Sequence, residues 1–396
     1  MRQSWNDNEG VSALRRLAEG LSSLADAAAS RRDIPRGSGA APADLPIQDL
    51  PAHVRFARIW AERGAAFLAC RQLRPCPLCR MSGTSGSDAH TTWFPTQDGY
   101  RYDVCTRCGM VYIPEIVPLP AWDRYFAELP EARDHLRTQM EGTITAAAVE
   151  ANRTRFGRYF GLIRDQGVRL AGARLLDVGT YTGGALRIAA EFGLDAHGVE
   201  GLEEAVQFCH ARRPDLTVAL GHAEDLAQAA AGERFDLITM WETLEHTVDP
   251  LRALRQAWDA LAPDGVLALS VPNARNVQCS ILRDYCFYAY GGYQGIGHVN
   301  LFTPDTLRGA LVESGFDLIH METEFGTDWR QVAYYLQHRF DRIYCFRNLV
   351  RHGTFTESPE PELAVVLNWL SPALTRVENA LLAGPIAVAL ARRRAR

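Results

Sequence analysis

Between residues 170 and 320 the chain alternates short apolar runs with helical stretches, and this rhythm leaves few folds open. The run ARLLDVG (173–179) is followed by the helical GALRIAAEFG (184–193). AHGVEG (196–201) precedes LEEAVQFCHARR (202–213), and LTVALG (216–221) precedes a short helix and then FDLITMWE (235–242). The helical PLRALRQAWDAL (250–261) leads into GVLALSVPN (265–273). Strand-length runs alternating with helices build βαβ units, and these assemble into a mostly parallel sheet covered by helices. A sixth strand is expected over Phe316–Glu322 and a last, antiparallel one over Pro385–Arg392. Thr303 and Pro304 read as the cap and first residue of a helix between them.

Ahead of this region the composition changes. Residues 75–120 are rich in Gly, Ser, Thr and Pro and suit short strands and turns. They carry Cys76-Pro77-Leu78-Cys79 and Cys105-Thr106-Arg107-Cys108, two CxxC pairs with 25 residues between them. A CxxC turn presents two thiolates to one side of a metal, and two such turns complete the tetrahedron Zn²⁺ prefers. Cys76, Cys79, Cys105 and Cys108 are therefore the expected ligands of a zinc ribbon. Four thiolates close the coordination sphere, so the zinc is expected to be structural. The alternative is four cysteines without a metal. A redox role fits less well, because neither pair lies at a strand-to-helix junction. Cys70, Cys209, Cys279, Cys286 and Cys345 are scattered and read as packing residues.

The polar start MRQSWNDNEG lacks the apolar core of a secretory signal, and no run of about 18 apolar residues is present. A cytoplasmic protein is expected. The organisation reads as a flexible extension and linker (1–50), a helix plus zinc ribbon (51–120), the α/β core (121–326), and a helical insertion, last strand and basic tail (327–396). Helices are expected over 11–29 and 52–73. The net charge of −5 lacks the basic footprint of a nucleic-acid binder. The terminal ARRRAR reads as a solvated tail, with contact to an anionic membrane surface as the lesser alternative.

The glycines after the first strand allow the backbone to approach a ligand closely. Glu200 ends the second strand, where an acid grips ribose hydroxyls and repels a ribose phosphate. The GxGxxG spacing of nicotinamide-binding proteins is absent. Taken together, LLDVGTYTGG, GVEG, FDLITMWETLEH, LAPDGVLALSVPN and HVNLFTPDTLRGALVESGF resemble the class I S-adenosylmethionine-dependent methyltransferases. The nearest resemblance is to bacterial members with an N-terminal zinc ribbon, some of which methylate nucleotide-linked deoxysugars or other glycans. It covers about 170–320 for the core and 75–115 for the ribbon. It implies a Rossmann-like sheet and S-adenosylmethionine as cofactor. Asp177, Gly179 and Gly183 would line the methionine end, Glu200 would take both ribose hydroxyls, Ala223 and Glu224 would flank the adenine, and Trp241 would face the cofactor. Tyr181 also belongs to this loop and departs from the family, which has glycine there.

Methyl transfer needs alignment and, for a hydroxyl acceptor, a base. His246 has a suitable intrinsic pKa, with Glu245 or Glu242 to orient it. His298, close to Asn300, is an alternative base. An acid–histidine pair can equally cap the next helix. The aromatic, glycine-rich stretch between Asn273 and Val299 reads as a substrate cover or as packing. Residues 327–360 read as a packed insertion, or as a surface whose arginines between 330 and 351 meet an anionic substrate. The function expected is methyl transfer to oxygen or carbon of a small molecule, a nucleotide-linked sugar or glycan. The alternatives are an RNA methyltransferase, which the few cations between the two knuckles argue against, and a non-catalytic binding module, which Tyr181 keeps open.

Overall fold

The computed structural model describes residues 69–82, 90–95, 101–118, 121, 130–230, 232–282, 298–329, 332–333 and 362–395. The helix expected over 11–29, most of that over 52–73, residues 283–297 and most of 327–360 lie outside them.

Around the cysteines run β1 (Gln72–Leu73), β2 (His90–Pro95), β3 (Arg101–Cys105), β4 (Val111–Tyr112) and β5 (Glu115–Ile116). Residues 72–73 correct the expected helix end. They are extended because Gln72 and Leu73 pair antiparallel with Ile116 and Glu115, and sheet pairing overrides local helix preference. Two helices absent from the sequence reading follow, α1 (Pro130–Thr143) and α2 (Ala146–Asp165). The Thr145 side chain caps α2 by accepting from the amide of Ala148, and the helix buries Phe156, Tyr159, Phe160 and Ile163.

The core then runs β6 (Arg174–Val178), α3 (Gly184–Glu191), β7 (Asp195–Glu200), α4 (Glu203–Arg212), β8 (Thr217–Leu220), α5 (Leu226–Ala229), β9 (Phe235–Trp241), α6 (Pro250–Ala260), β10 (Leu261–Pro272), α7 (Val277–Leu282), β11 (Asn300–Leu301), α8 (Pro304–Glu313), β12 (Phe316–Glu324), α9 (Glu362–Ala380) and β13 (Ile386–Arg393). Among the described residues a seven-stranded sheet has the order β12-β13-β10-β9-β6-β7-β8. Strands β8, β7, β6, β9 and β10 are parallel, and β13 is antiparallel to both neighbours. This is an α/β Rossmann-like fold with a parallel-rich centre. The sixth strand runs two residues beyond its expected end, and the last strand starts and ends one residue later than expected.

The helices cover the sheet because their apolar stripes face it. In α6, Leu251, Leu254, Ala257 and Trp258 are buried, Asp249 caps the N-terminus and Pro250 opens the helix. Thr303 and Thr306 form a reciprocal capping box at α8, with Pro304 at its first turn. The basic tail is not simply solvated. The Arg393 guanidinium lies 3.9 Å over the Trp258 ring, and Arg394 pairs with Asp317 at 2.7 Å. No helix among the described residues is long and apolar enough to cross a membrane.

Two features position a site. Chain order runs outward from β6 through β7 to β8, then returns to place β9 beside β6. In open α/β sheets such a switch point opens a ligand crevice at the carboxyl ends of the strands. The second feature is a seam. β11 pairs antiparallel with β4, matching Asn300 to Tyr112 and Leu301 to Val111, so the core supplies one strand of the ribbon's own sheet.

Candidate functional site

The crevice begins at the loop after β6. Gly179 and Gly183 have φ of +76° and +73°, where a side chain is strained. Each is also hemmed in, since a Cβ at 179 would lie 2.4 Å from Thr243 Oγ1 and one at 183 would lie 2.4 Å from Leu216 Cδ1. Thr243 donates to the carbonyl of Val178 at 3.0 Å, binding the ends of β6 and β9 together. Asp177 is buried and accepts from Thr239 Oγ1 at 2.6 Å. Burial pushes its carboxyl up to about 6, against the pull of the hydrogen bond from Thr239.

Tyr181 is left-handed as well, at φ +51°, so the loop makes the turn a glycine would make. Its ring packs against the cluster of Leu136, Met140, Ala205 and Phe208. This is how the loop accommodates a residue that is glycine in the family it resembles. Glu200, at the end of β7, accepts from the amides of Tyr181 (2.7 Å) and Leu202 (2.9 Å), one on each oxygen. Every carboxylate oxygen can accept more than one hydrogen bond, so Glu200 keeps acceptor capacity beyond these amides. Burial raises the Glu200 pKa. Ala223 is buried in the turn after β8. Glu224 accepts from the amide of Asp249 at 2.9 Å and so ties this turn to the start of α6. Trp241 stacks on Tyr159 of α2 with ring centroids 4.4 Å apart, and its buried indole Nε1 has no hydrogen-bond partner among the described residues.

Beyond β9 the backbone kinks at Glu242, which has φ +52°. Glu245, His246 and His298 then converge. One ligand atom from each lies within 4.8 Å of the others, and the two imidazoles meet edge to face at 4.9 Å. His298 Nε2 is 3.9 Å from Glu245 Oε1. Glu245 is fully buried, and neither of its oxygens has a hydrogen-bond partner among the described residues. Burial, then the nearby Glu242, push its pKa well above the usual carboxylate range. A carboxylate in such a place is ionised only beside a cation. The trio can therefore share and move a proton, and the same donor set could hold a divalent ion. His246 is exposed and His298 buried, so His246 is the imidazole open to solvent.

Arg155 is a residue the sequence reading missed. It donates to Glu242 at 2.9 Å and to the Tyr159 hydroxyl at 3.2 Å. Glu242 thereby meets a guanidinium beside the buried Glu245. No local motif marks Arg155, because the pairing joins α2 to the far end of β9.

In the ribbon, the Sγ atoms of Cys76, Cys79, Cys105 and Cys108 all lie within 4.8 Å of one another. Cys76–Cys108 and Cys79–Cys105 are each 3.5 Å apart. Four thiol sulfurs gathered from two turns fit a tetrahedral zinc. Cys209 and Cys279 are buried elsewhere. Cys209 donates to the Tyr181 carbonyl.

Residues 151–321, under half of the chain, match a family described as "Methyltransferase domain". The ubiquinone biosynthesis O-methyltransferase of Ruegeria pomeroyi is 36% identical over 114 residues, 28% of this chain and 46% of that protein. The protein of the same name in Roseobacter denitrificans is 29% identical over 160 residues, 37% of this chain and 60% of its own length. The chain thus spans about half the length of these relatives. A SAM-dependent methyltransferase structure from Archaeoglobus fulgidus aligns over 62% of this chain and 94% of its own, at 17% identity and a TM-score of 0.41.

Proposed function

We propose that this chain is an S-adenosylmethionine-dependent methyltransferase acting on an oxygen or carbon nucleophile of a small molecule, with a nucleotide-linked sugar or glycan as the substrate class. The observation that carries the reading is the convergence of Glu245, His246 and His298 at the carboxyl edge of the sheet, next to a glycine loop backed by Glu200. The match over 151–321 supports it. The relatives' names point to a hydroxyl oxygen as the acceptor to try first. When bound, S-adenosylmethionine supplies an electrophilic methyl group on a sulfonium. Glu200 would bind its ribose hydroxyls, the amides around Gly179 and Gly183 would border its methionine end, and Ala223 would wall the adenine side. His246 would take the proton from the acceptor hydroxyl. His298 and Glu245 would hold its imidazole and share the positive charge as it forms. The four ribbon cysteines would hold a structural zinc ion with no place for a reacting water.

Calorimetric titration of the zinc-loaded protein with S-adenosylhomocysteine tests the first half of the proposal. Two hydrogen bonds to a charged acceptor are worth about 3–6 kcal/mol together, so Glu200→Ala should weaken binding roughly 150-fold or more. No binding by the intact protein would sink the reading. Nucleotide sugars, catechols and a short RNA, each offered with labelled S-adenosylmethionine, then separate the acceptor classes. Transfer to RNA alone would overturn the substrate class.

A further inference from the structure

We propose that Arg74 is a positioning residue for the histidine pair, the part through which the ribbon sets the geometry of the reacting site. The inference rests on reading His246 and His298 as the reacting centre. Arg74 follows β1 and is 8% exposed. Its guanidinium donates to four oxygens from three stretches of chain. Nε meets the Ile113 carbonyl at 2.9 Å. Nη1 meets the Val248 carbonyl at 2.9 Å. Nη2 meets the Val299 carbonyl at 2.6 Å and Asn300 Oδ1 at 3.0 Å. Val248 lies two residues after His246, and Val299 is the residue after His298. One planar group thus spans the two segments that bring the imidazoles together and fastens both to the ribbon.

Independent contacts reach the same place. Tyr102 of β3 donates to the carbonyl of His298 itself. Asn300 donates to the carbonyl of Thr247 at 2.7 Å. The amide of Ile113 donates to the Val299 carbonyl at 3.0 Å. The backbone at His298 and just after it is therefore held by ribbon residues.

The electrostatics argue that geometry is what this arginine supplies. A buried guanidinium is costly without a carboxylate partner, and every hydrogen bond shown for the Arg74 side chain ends on a carbonyl or amide oxygen. The Tyr112 ring, 5.4 Å from the guanidinium carbon, offsets part of that cost. A lysine would keep the charge but could not span four acceptors in one plane.

The test needs no acceptor substrate. Zinc-loaded full-length protein with ¹³C- and ¹⁵N-labelled histidine is titrated by NMR as wild type, Arg74→Lys and Tyr102→Phe. Positioning predicts that both variants shift the His298 resonances, and that Arg74→Lys moves the titration midpoint of His246 or His298 by about 0.5 pH unit or more. Zinc content and S-adenosylhomocysteine affinity should stay within about twofold of wild type, as expected for a distant site. Unchanged histidine spectra in a folded Arg74→Lys protein would overturn the proposal. Where Arg74→Lys fails to fold, Tyr102→Phe decides alone, and unchanged His298 resonances there overturn it equally. Absence of S-adenosylhomocysteine binding by the wild type would instead defeat the methyltransferase reading, and the histidine spectra would be unaffected by that result.

Discussion

Tyr181 shows how one residue can break a family pattern and keep its geometry. A left-handed tyrosine costs about 1 kcal/mol relative to glycine, and the ring recovers more than that by packing against Leu136, Met140 and Phe208. Tyr181→Ala should therefore be worse than Tyr181→Gly, because alanine loses the ring and keeps the strain. Urea denaturation should place Tyr181→Ala about 1 kcal/mol below Tyr181→Gly, with both below wild type. A more stable alanine variant would mean the turn is not strained. Asp177 gives the pH counterpart. Its carboxyl is raised by burial from 3.8 to about 6, so the folded chain holds this proton more tightly than the unfolded chain. The stability linked to the proton is fully present below pH 4 and is lost as pH rises through 6. Asp177→Asn can still accept from Thr239 and has no charge to bury. It should gain up to about 3 kcal/mol relative to wild type at pH 7.5, and no advantage near pH 4. Thermal denaturation at the two pH values reads the difference, and an equal loss at both would assign Asp177 a purely geometric part.

At the scale of elements, what the sequence made legible was what local chemistry encodes. The apolar runs gave β6, β7, β9 and β10, and the glycine loop gave the turn after β6. Thr303 and Pro304 gave the start of α8, whose cap is closed by Thr306 in both directions. Thr303→Ala should cost about 1 kcal/mol in denaturant unfolding, and a Thr303→Ser protein should recover most of it. No change in Thr303→Ala would show that tertiary packing alone fixes this end. Elements made by distant pairing were not legible. β11 is two residues long and exists because Tyr112 and Val111 offer it an edge. Gln72 and Leu73 are a strand for the same reason. Helices α1 and α2 were missed because the reading began at the first βαβ repeat. With them went Arg155 and the aromatic stack of Tyr159 on Trp241. The three converging side chains were each visible as residue types, but only the fold brings His298 to Glu245 and His246.

In the whole molecule the ribbon and the core share one interior. Cys76, Leu78, Cys105, Met110 and Tyr112 belong to the same buried cluster as Leu251, Leu254, Phe302 and Leu307. With the proposed zinc on its four cysteines, a ribbon this small has too little core to fold once that metal is removed, so chelation should open it and bare part of that cluster. Every 1 kcal/mol lost lowers the melting temperature of a core this size by about 2–4 °C, and a fall of about 5–10 °C is expected on chelation. The glycine loop after β6 stands on different supports. Gly179 is fitted to Thr243, Gly183 to Leu216, and Tyr181 to α1 and α4. S-adenosylhomocysteine affinity should therefore survive chelation within about threefold at temperatures where the core stays folded. The histidine pair, held through Arg74 and Tyr102, should not keep its arrangement. Calorimetry and melting on the same chelated sample separate these effects. Parallel loss of cofactor binding and of the ribbon would mean that the metal supports the entire sheet. Retained binding with altered histidine spectra would mean that this chain divides its labour, with the Rossmann-like half holding the cofactor and the ribbon holding the acceptor side in place.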